Sequence, residues 1–368
     1  MGEVKLFFGP NHPGMHGNYS VHMYVEGDTV MRARPVPGFL HRGFEKLMER
    51  RLWYQNLALI PRICVPEPVI NEACYAMAIE KIAKIDVPER AQWIRMIVLE
   101  LARMVNHFMS FPGIGGALGL YTSNYWGIAD RDMILDIFEM LTGARIYHMF
   151  IVPGGVRKNL TPKIEDKIRE VLDYIESRLP DYEDLIFRNR IVHTRLKGKI
   201  ILTREQALEM GVTGVGLRAT GVPYDIRKVD PYLFYDKVEF TVPTSTDCDA
   251  YSRLYLKYQE IYQSIRIIRQ ALEKMPNSDR VNVKMSDGNA LRYRIPKGMA
   301  FVHVESTRGE FGYLVVSDGG EKPYRVAVRG ASYPQGLYGI EKYLPGTRIE
   351  DVPVWLNTMD VCAPEIDR

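Results

Sequence analysis

Residues 86–108 read DVPERAQWIRMIVLELARMVNHF. Ile94, Ile97, Val98, Leu101, Met104, Val105 and Phe108 recur at intervals of three and four, the period of one face of an α-helix. Asp86 and Glu89 spell a capping box at its start, and Pro112-Gly113 is expected to stop it. The same period continues on both sides. Glu45 to Ile60 reads as one helix ended by Pro61, and Val69 to Ile85 as a second. Arg131 to Phe150 reads as a fourth, closed by Pro153-Gly154-Gly155, and Lys163 to Arg188 as a charged fifth at the surface. Thr203 and Gln206 frame a short helix ending at Gly211. Tyr251 to Lys274 is a long one, with Leu254, Tyr258, Ile261, Tyr262, Ile265, Ile268 and Leu272 on one stripe.

Towards both ends of the chain the period falls to two. Lys5-Leu6-Phe7-Phe8 predicts a strand beside a hairpin turning at Glu26-Gly27-Asp28. Phe301 to Val304 and Tyr313 to Val316 predict strands, with a turn at Asp318-Gly319-Gly320 before a loop-rich C-terminus. The fold class expected is α+β: a central multi-helix bundle with β-structure from the N- and C-terminal regions. The expected divisions are a hairpin region over 1–40, the bundle over 41–298, and a β/loop region over 299–368 that completes a site.

Composition sets outer bounds. The 368 residues carry a scattered formal charge of +3, which gives no electrostatic footprint for nucleic acid. No apolar run reaches the roughly 18 residues of a membrane span, and no charged-then-apolar leader opens the chain, so any membrane association is expected through partners. Four cysteines without close pairing suit a reducing compartment.

Two stretches stand out. Cys64-Val65-Pro66-Glu67 and Cys362-Ala363-Pro364-Glu365 repeat one spelling, Cys-x-Pro-Glu, nearly a chain length apart. Each offers one soft thiol and one hard carboxylate, a mixed set that would hold iron or nickel poorly; a disulfide between the two cysteines stays open. Gly214-Val215-Gly216-Leu217-Arg218-Ala219 has the letters of a dinucleotide loop. A capped helix instead of a strand precedes it, and Gly221 and Pro223 follow, so it is read as a Gly-rich loop packed on the bundle. His107 is read as a satisfied core histidine. The chain has no P-loop, H-E-x-x-H, G-x-S-x-G or C-x-x-C.

A longer set of letters resembles one family in order along the chain. It includes Gly9-Pro10-Asn11-His12-Pro13-Gly14-Met15-His16-Gly17, Pro37 to Lys46, Asn71-Glu72, Glu80-Lys81, Leu141-Thr142-Gly143 and Gly154-Gly155-Val156. Leu217-Arg218-Ala219, Tyr224 to Lys228, Arg308 to Tyr313, Ser317 to Gly320 and Glu365-Ile366-Asp367-Arg368 continue it. The family comprises the 49-kilodalton (D) subunit of respiratory complex I and the large subunits of membrane-bound nickel–iron hydrogenases.

The resemblance implies a hydrogenase large-subunit-like fold and a site at the two Cys-x-Pro-Glu stretches. Hydrogenases carry C-x-x-C at both places; here Glu67 and Glu365 stand at the second cysteines, so no metal is expected in this chain. The quinone-reducing branch has a tyrosine that falls on Val65 and an aspartate that falls near Ala117, while its loop histidine is kept as His16. Valine has no proton to donate. The branch it most resembles is the archaeal membrane-bound sulfane-sulfur reductase.

That branch implies electrons from reduced ferredoxin reaching polysulfide through a 4Fe–4S cluster in an adjacent small subunit, this chain alone binding no cofactor. Partners implied are that iron–sulfur small subunit, other hydrophilic cluster subunits, and antiporter-like and anchor subunits of the membrane, coupled to ion translocation at the cytoplasmic face. Catalytic roles are expected at Cys64, Glu67, Cys362, Glu365 and His16. Arg62 is expected near the partner's cluster, and His148 beside Tyr147, on which a redox-linked histidine of the family falls. The neighbouring carboxylates are expected to disfavour thiolate, which points to cluster-centred reduction over covalent thiol chemistry. Two alternatives remain open: a quinone- or methanophenazine-type oxidoreductase subunit, and a non-catalytic scaffold shielding a cluster.

Overall fold

The computed structural model describes residues 2–12, 17–283 and 293–368. The N-terminal strands β1 (Val4–Phe8), β2 (Ser20–Glu26) and β3 (Thr29–Val36) form an antiparallel sheet in that order, with Phe8 opposite Val21 and Glu26 opposite Thr29, as the alternation predicts. A short helix, α1 (Phe44–Arg50), follows; the expected continuous helix to Ile60 is not formed. Arg51 is extended, and the Trp53 backbone and indole N–H groups donate to Glu321 and Gly320 carbonyls. Those long-range bonds draw the chain out of the helix. It resumes only as tight turns at Gln55–Ala58 and Ile60–Arg62.

The bundle centres on α2 (Pro68–Ala83), α3 (Glu89–Leu118) and α4 (Tyr121–Thr142). α3 starts after Pro88 with no side-chain cap, and it runs through Pro112 instead of stopping there. Gly127 of α4 lies against Pro112 and the Phe108 carbonyl, where a Cβ would meet them at 2.6 and 2.9 Å. α4 can therefore press onto the proline turn and cover it. It begins ten residues before the predicted Arg131 and ends at Gly143 in the left-handed conformation. The small hairpin β4 (Ile151–Val152) and β5 (Gly155–Val156) and the amphipathic α5 (Pro162–Tyr182) follow. α6 (Arg190–Leu196) leads to α7 (Arg204–Met210), where Thr203 and Gln206 make the predicted capping box.

Gly214 to Arg218 is not a loop but a short helix, α8 (Gly214–Arg218). Gly214, at positive φ, meets the backbone of Gly309, where a Cβ would lie 2.5 Å from the Gly309 nitrogen. Its glycine thus serves backbone-to-backbone packing. α9 (Ile226–Val229) and α10 (Ala250–Lys274) complete the bundle, α10 lying against α3.

The strands β6 (Gly298–Ser306), β7 (Gly309–Ser317) and β8 (Arg325–Arg329) form an antiparallel sheet packed on α2. Ser306 pairs with Gly309, so Thr307-Arg308 is a two-residue turn aimed at the head of α2. The C-terminus expected as loop is mostly short helices: α11 (Gly339–Tyr343), α12 (Val352–Thr358) and α13 (Ala363–Asp367). Its last residues are buried, the Asp367 carboxylate accepting the Gly38 and Leu40 N–H groups at 2.7 Å each.

Candidate functional site

The two Cys-x-Pro-Glu stretches meet. Cys64 and Cys362 are buried free thiols with their sulfurs 4.0 Å apart, and no disulfide joins them. Identical letters sit differently on the backbone. Glu67 directly precedes α2, whose first residue is Pro68, whereas Cys362 precedes α13 and Glu365 lies inside its first turn. The first stretch lies between the Ile60–Arg62 turn and α2, whereas the second, in the C-terminus expected to be loop-rich, runs into α13.

The β6–β7 turn inserts Arg308 between them. Its Nη1 lies 2.9 Å from a Glu67 oxygen and 3.5 Å from Cys64 Sγ, while Nη2 donates to Asn106 Oδ1 at 3.2 Å and stands 3.6 Å from Asp360. Glu67 also accepts the Ser306 and Thr307 hydroxyls at 2.6 and 2.8 Å. Behind it Lys257 of α10 stands 3.7 Å from Asp360, which accepts the Asn106 amide at 2.8 Å. Glu365 is placed otherwise: one oxygen accepts the Ser332 N–H at 2.7 Å, and the other, buried, has no partner among the described residues.

The hydrogen bond to Cys362 and burial push the Cys64 thiol well up, against the opposing pull of Arg308. The expectation that both glutamates raise it is corrected in its cause: Glu365 contributes a smaller part, and Glu67 is paired to Arg308. Burial raises the Glu365 carboxyl, again against Arg308.

The remaining predicted residues spread out. His16 lies outside the described residues. Arg62 is half-buried, donates to the Ala58 carbonyl, and lies 5.0 Å from the Tyr147 ring centroid. His148 stacks on Phe138 at 4.0 Å and donates from Nε2 to the Arg145 carbonyl at 3.0 Å; burial holds its pKa down to about 4, which keeps it neutral. These contacts tie it to α4 and the following turn, not to the thiols. His107 meets Glu260 at 2.9 Å, as a core histidine should, although its Nδ1 has no partner among the described residues. Sequence reasoning missed Arg308, Asp360 and Lys257 as site residues. The signal for Arg308 was its place between two apolar alternating runs, at the turn of a hairpin.

A nickel–iron centre does not fit this donor set. Cys64, Cys362 and Glu365 offer ligand atoms within 4.8 Å of one another, two thiols and one carboxylate, while Glu67 is taken up by Arg308, Ser306 and Thr307. Two bridging thiolates are missing, and a guanidinium stands against Cys64.

Comparison with known proteins gives the context. Residues 117–368 match the model of the respiratory-chain NADH dehydrogenase 49 Kd subunit. The chain belongs to this family. It is a D-type subunit of a membrane-bound, complex I-like respiratory oxidoreductase, and its partners are the other subunits of that complex. It is 80% identical to the D subunit of the NADH-quinone oxidoreductase of Thermosipho melanesiensis, over all of both chains. It is 37% identical to the D subunit of the F(420)H(2) dehydrogenase of Methanosarcina mazei, over 100% of this chain and 98% of that one. Among solved structures, it matches a chain of the membrane-bound sulfane sulfur reductase, an archaeal respiratory membrane complex, with a TM-score of 0.96, 45% identity and coverage of 100% and 99%. The expected hydrogenase-like α+β fold is thereby established. Among the described residues, no helix is long and apolar enough to cross a membrane.

Proposed function

We propose that this chain forms the catalytic wall of a sulfane-sulfur reductase. Electrons from reduced ferredoxin pass through a 4Fe–4S cluster of the adjacent small subunit to polysulfide, with ion translocation by antiporter-like membrane subunits at the cytoplasmic face. The observation that carries the reading is the paired thiols, 4.0 Å apart against Arg308, in place of a metal centre or a phenol. Such a site suits an anionic sulfur chain: sulfur surfaces are soft and polarizable, and the guanidinium compensates anionic charge. Val65 adds only apolar surface. The matched sulfane sulfur reductase structure supports the same reading. Arg62, half-buried beside Tyr147, is assigned to the face that meets the cluster, where its charge favours the reduced state.

Quinone reduction is the second reading, favoured by the name of the 80%-identical relative. The test is turnover by the purified complex with a low-potential reductant, comparing inorganic polysulfide with a soluble quinone. Polysulfide turnover at least about tenfold faster, a difference of about 1.4 kcal/mol in barrier, is expected; the reverse order overturns the assignment.

A further inference from the structure

We propose that Cys64 is a sulfur-acceptor site, taking a fragment of the sulfur chain as a cysteine persulfide or short polysulfide, with Arg308 as counter-ion to its terminal sulfur. This rests on the sulfane-sulfur reading and names the atom that receives the substrate; it departs from the expectation of cluster-centred reduction without covalent thiol chemistry, because Glu67 is paired to Arg308, whose Nη1 faces Cys64. Both thiols are buried, and the chain next to them differs: Val65 after Cys64 is half-buried although Ile63 before it is buried, whereas Val361 and Ala363 on either side of Cys362 are both buried. Arg308 already touches Cys64 Sγ at 3.5 Å.

Two buried polar atoms near the thiols are left without partners among the described residues, Arg308 Nε and Glu365 Oε2. Unpaired buried polar groups are costly, and both find use if a sulfur anion and a proton are handled here. Glu67 shares Nη1 with Cys64, Asn106 and Asp360 face Nη2, and Lys257 stands behind Asp360, so the guanidinium is held in place against Cys64.

The chemistry balances in two steps. The Cys64 sulfur bonds to an inner sulfur of the chain, one S–S bond breaks, and the shortened chain leaves as an anion carrying the thiol's proton. Only sulfane sulfur has moved, so no net oxidation has occurred. Two electrons from the small subunit's iron–sulfur cluster and two protons then break the bond at Cys64 Sγ. They release the bound fragment as a hydrosulfide-type anion and restore the thiol. Burial and Cys362 oppose thiolate at Cys64, and Arg308 pulls the other way. A persulfide is the stronger acid of the two, so the guanidinium favours the adduct more than the thiol.

The test is mass spectrometry of the purified, oxidised complex after inorganic polysulfide is added and the excess removed. The expected result is added sulfur on the peptide containing Cys64, lost on treatment with a low-potential reductant. The adduct should persist in Cys362→Ser and fall about tenfold in Arg308→Lys, the order of one charge-assisted contact. An adduct on Cys362 instead of Cys64 overturns the proposal. So does a complex that turns over polysulfide with no adduct, or a Cys64→Ser complex with the wild-type rate. A wild-type complex that fails to reduce polysulfide overturns the parent reading, and this one with it.

Discussion

The two Cys-x-Pro-Glu stretches share their letters and differ in what surrounds them. The first opens a long, almost wholly buried helix, and its Glu67 meets a guanidinium and two hydroxyls. The second opens a five-residue helix, and its Glu365 accepts one backbone N–H and has, among the described residues, no partner for its other oxygen. A difference in where the helix begins puts Glu67 outside α2 and Glu365 inside α13. One carboxylate becomes an anchor for Arg308, and the other is left facing the thiols. Symmetry in sequence is therefore no guide to symmetry of role.

The largest test removes the anchor's cation. Arg308→Met leaves Glu67 buried with only two hydroxyls and the Thr307 N–H as donors, and breaking a buried pair in this way costs about 3–5 kcal/mol. Hydrogen exchange of peptides spanning the β6–β7 turn and the head of α2 is expected to lose protection by that amount. Unchanged exchange would mean that the first half-site does not depend on Arg308, and the asymmetry would lose its cause.

A second test concerns the other acid at the head of α2. Glu72 accepts the backbone N–H groups of Met149, Phe150 and Ile151, and burial pushes its pKa up to about 7 from 4.5. In the same segment burial lowers His148 to about 4 from 6.5. The signs oppose. The raised Glu72 contributes stability that is present below pH 4.5 and lost as pH rises through about 7. The depressed His148 contributes stability that is present above pH 6.5 and lost as pH falls through about 4. Each shift amounts to about 3 kcal/mol, so protection of residues 147–151 is expected to vary little across their shared window. Glu72→Gln should expose the histidine slope, with stability rising with pH. His148→Phe should expose the opposite slope. Flat profiles in both variants would refute the pairing.

Much of this was legible in the sequence, because its signals were local. The period of α3 and α10, the alternation of β2 and β3, and the capping box at Thr203 each depend on residues within one element. The failures came where distant contacts overrule local preference. α1 ends early because Trp53 bonds to Glu321 and Gly320, and α3 passes through Pro112 because Gly127 lets α4 cover it. At the site, the recurring thiols and carboxylates were visible as letters, and their 4.0 Å meeting was not. Arg308 lay among the family's letters, yet only the register of β6 and β7 shows that it sits in the turn and points inward.

The smallest expected effect sharpens the comparison most, because it asks the two glutamates the same question. Glutamine keeps the shape and one carbonyl oxygen while removing the charge. Glu67→Gln loses the charge in a bond to Arg308 and weakens two hydroxyl bonds, a cost of about 2 kcal/mol. Glu365→Gln can still accept the Ser332 N–H and gives up no ion pair, so its cost is expected to stay below about 1 kcal/mol. Hydrogen exchange at the head of α2 and at α13 reads each locally. If both substitutions cost the same, the two stretches are equivalent anchors and the difference in helix start has no energetic meaning. If only Glu67→Gln loosens its site, the second carboxylate is free of structural duty, and any loss of turnover in Glu365→Gln then reports on proton delivery to the thiols and not on a collapsed pocket.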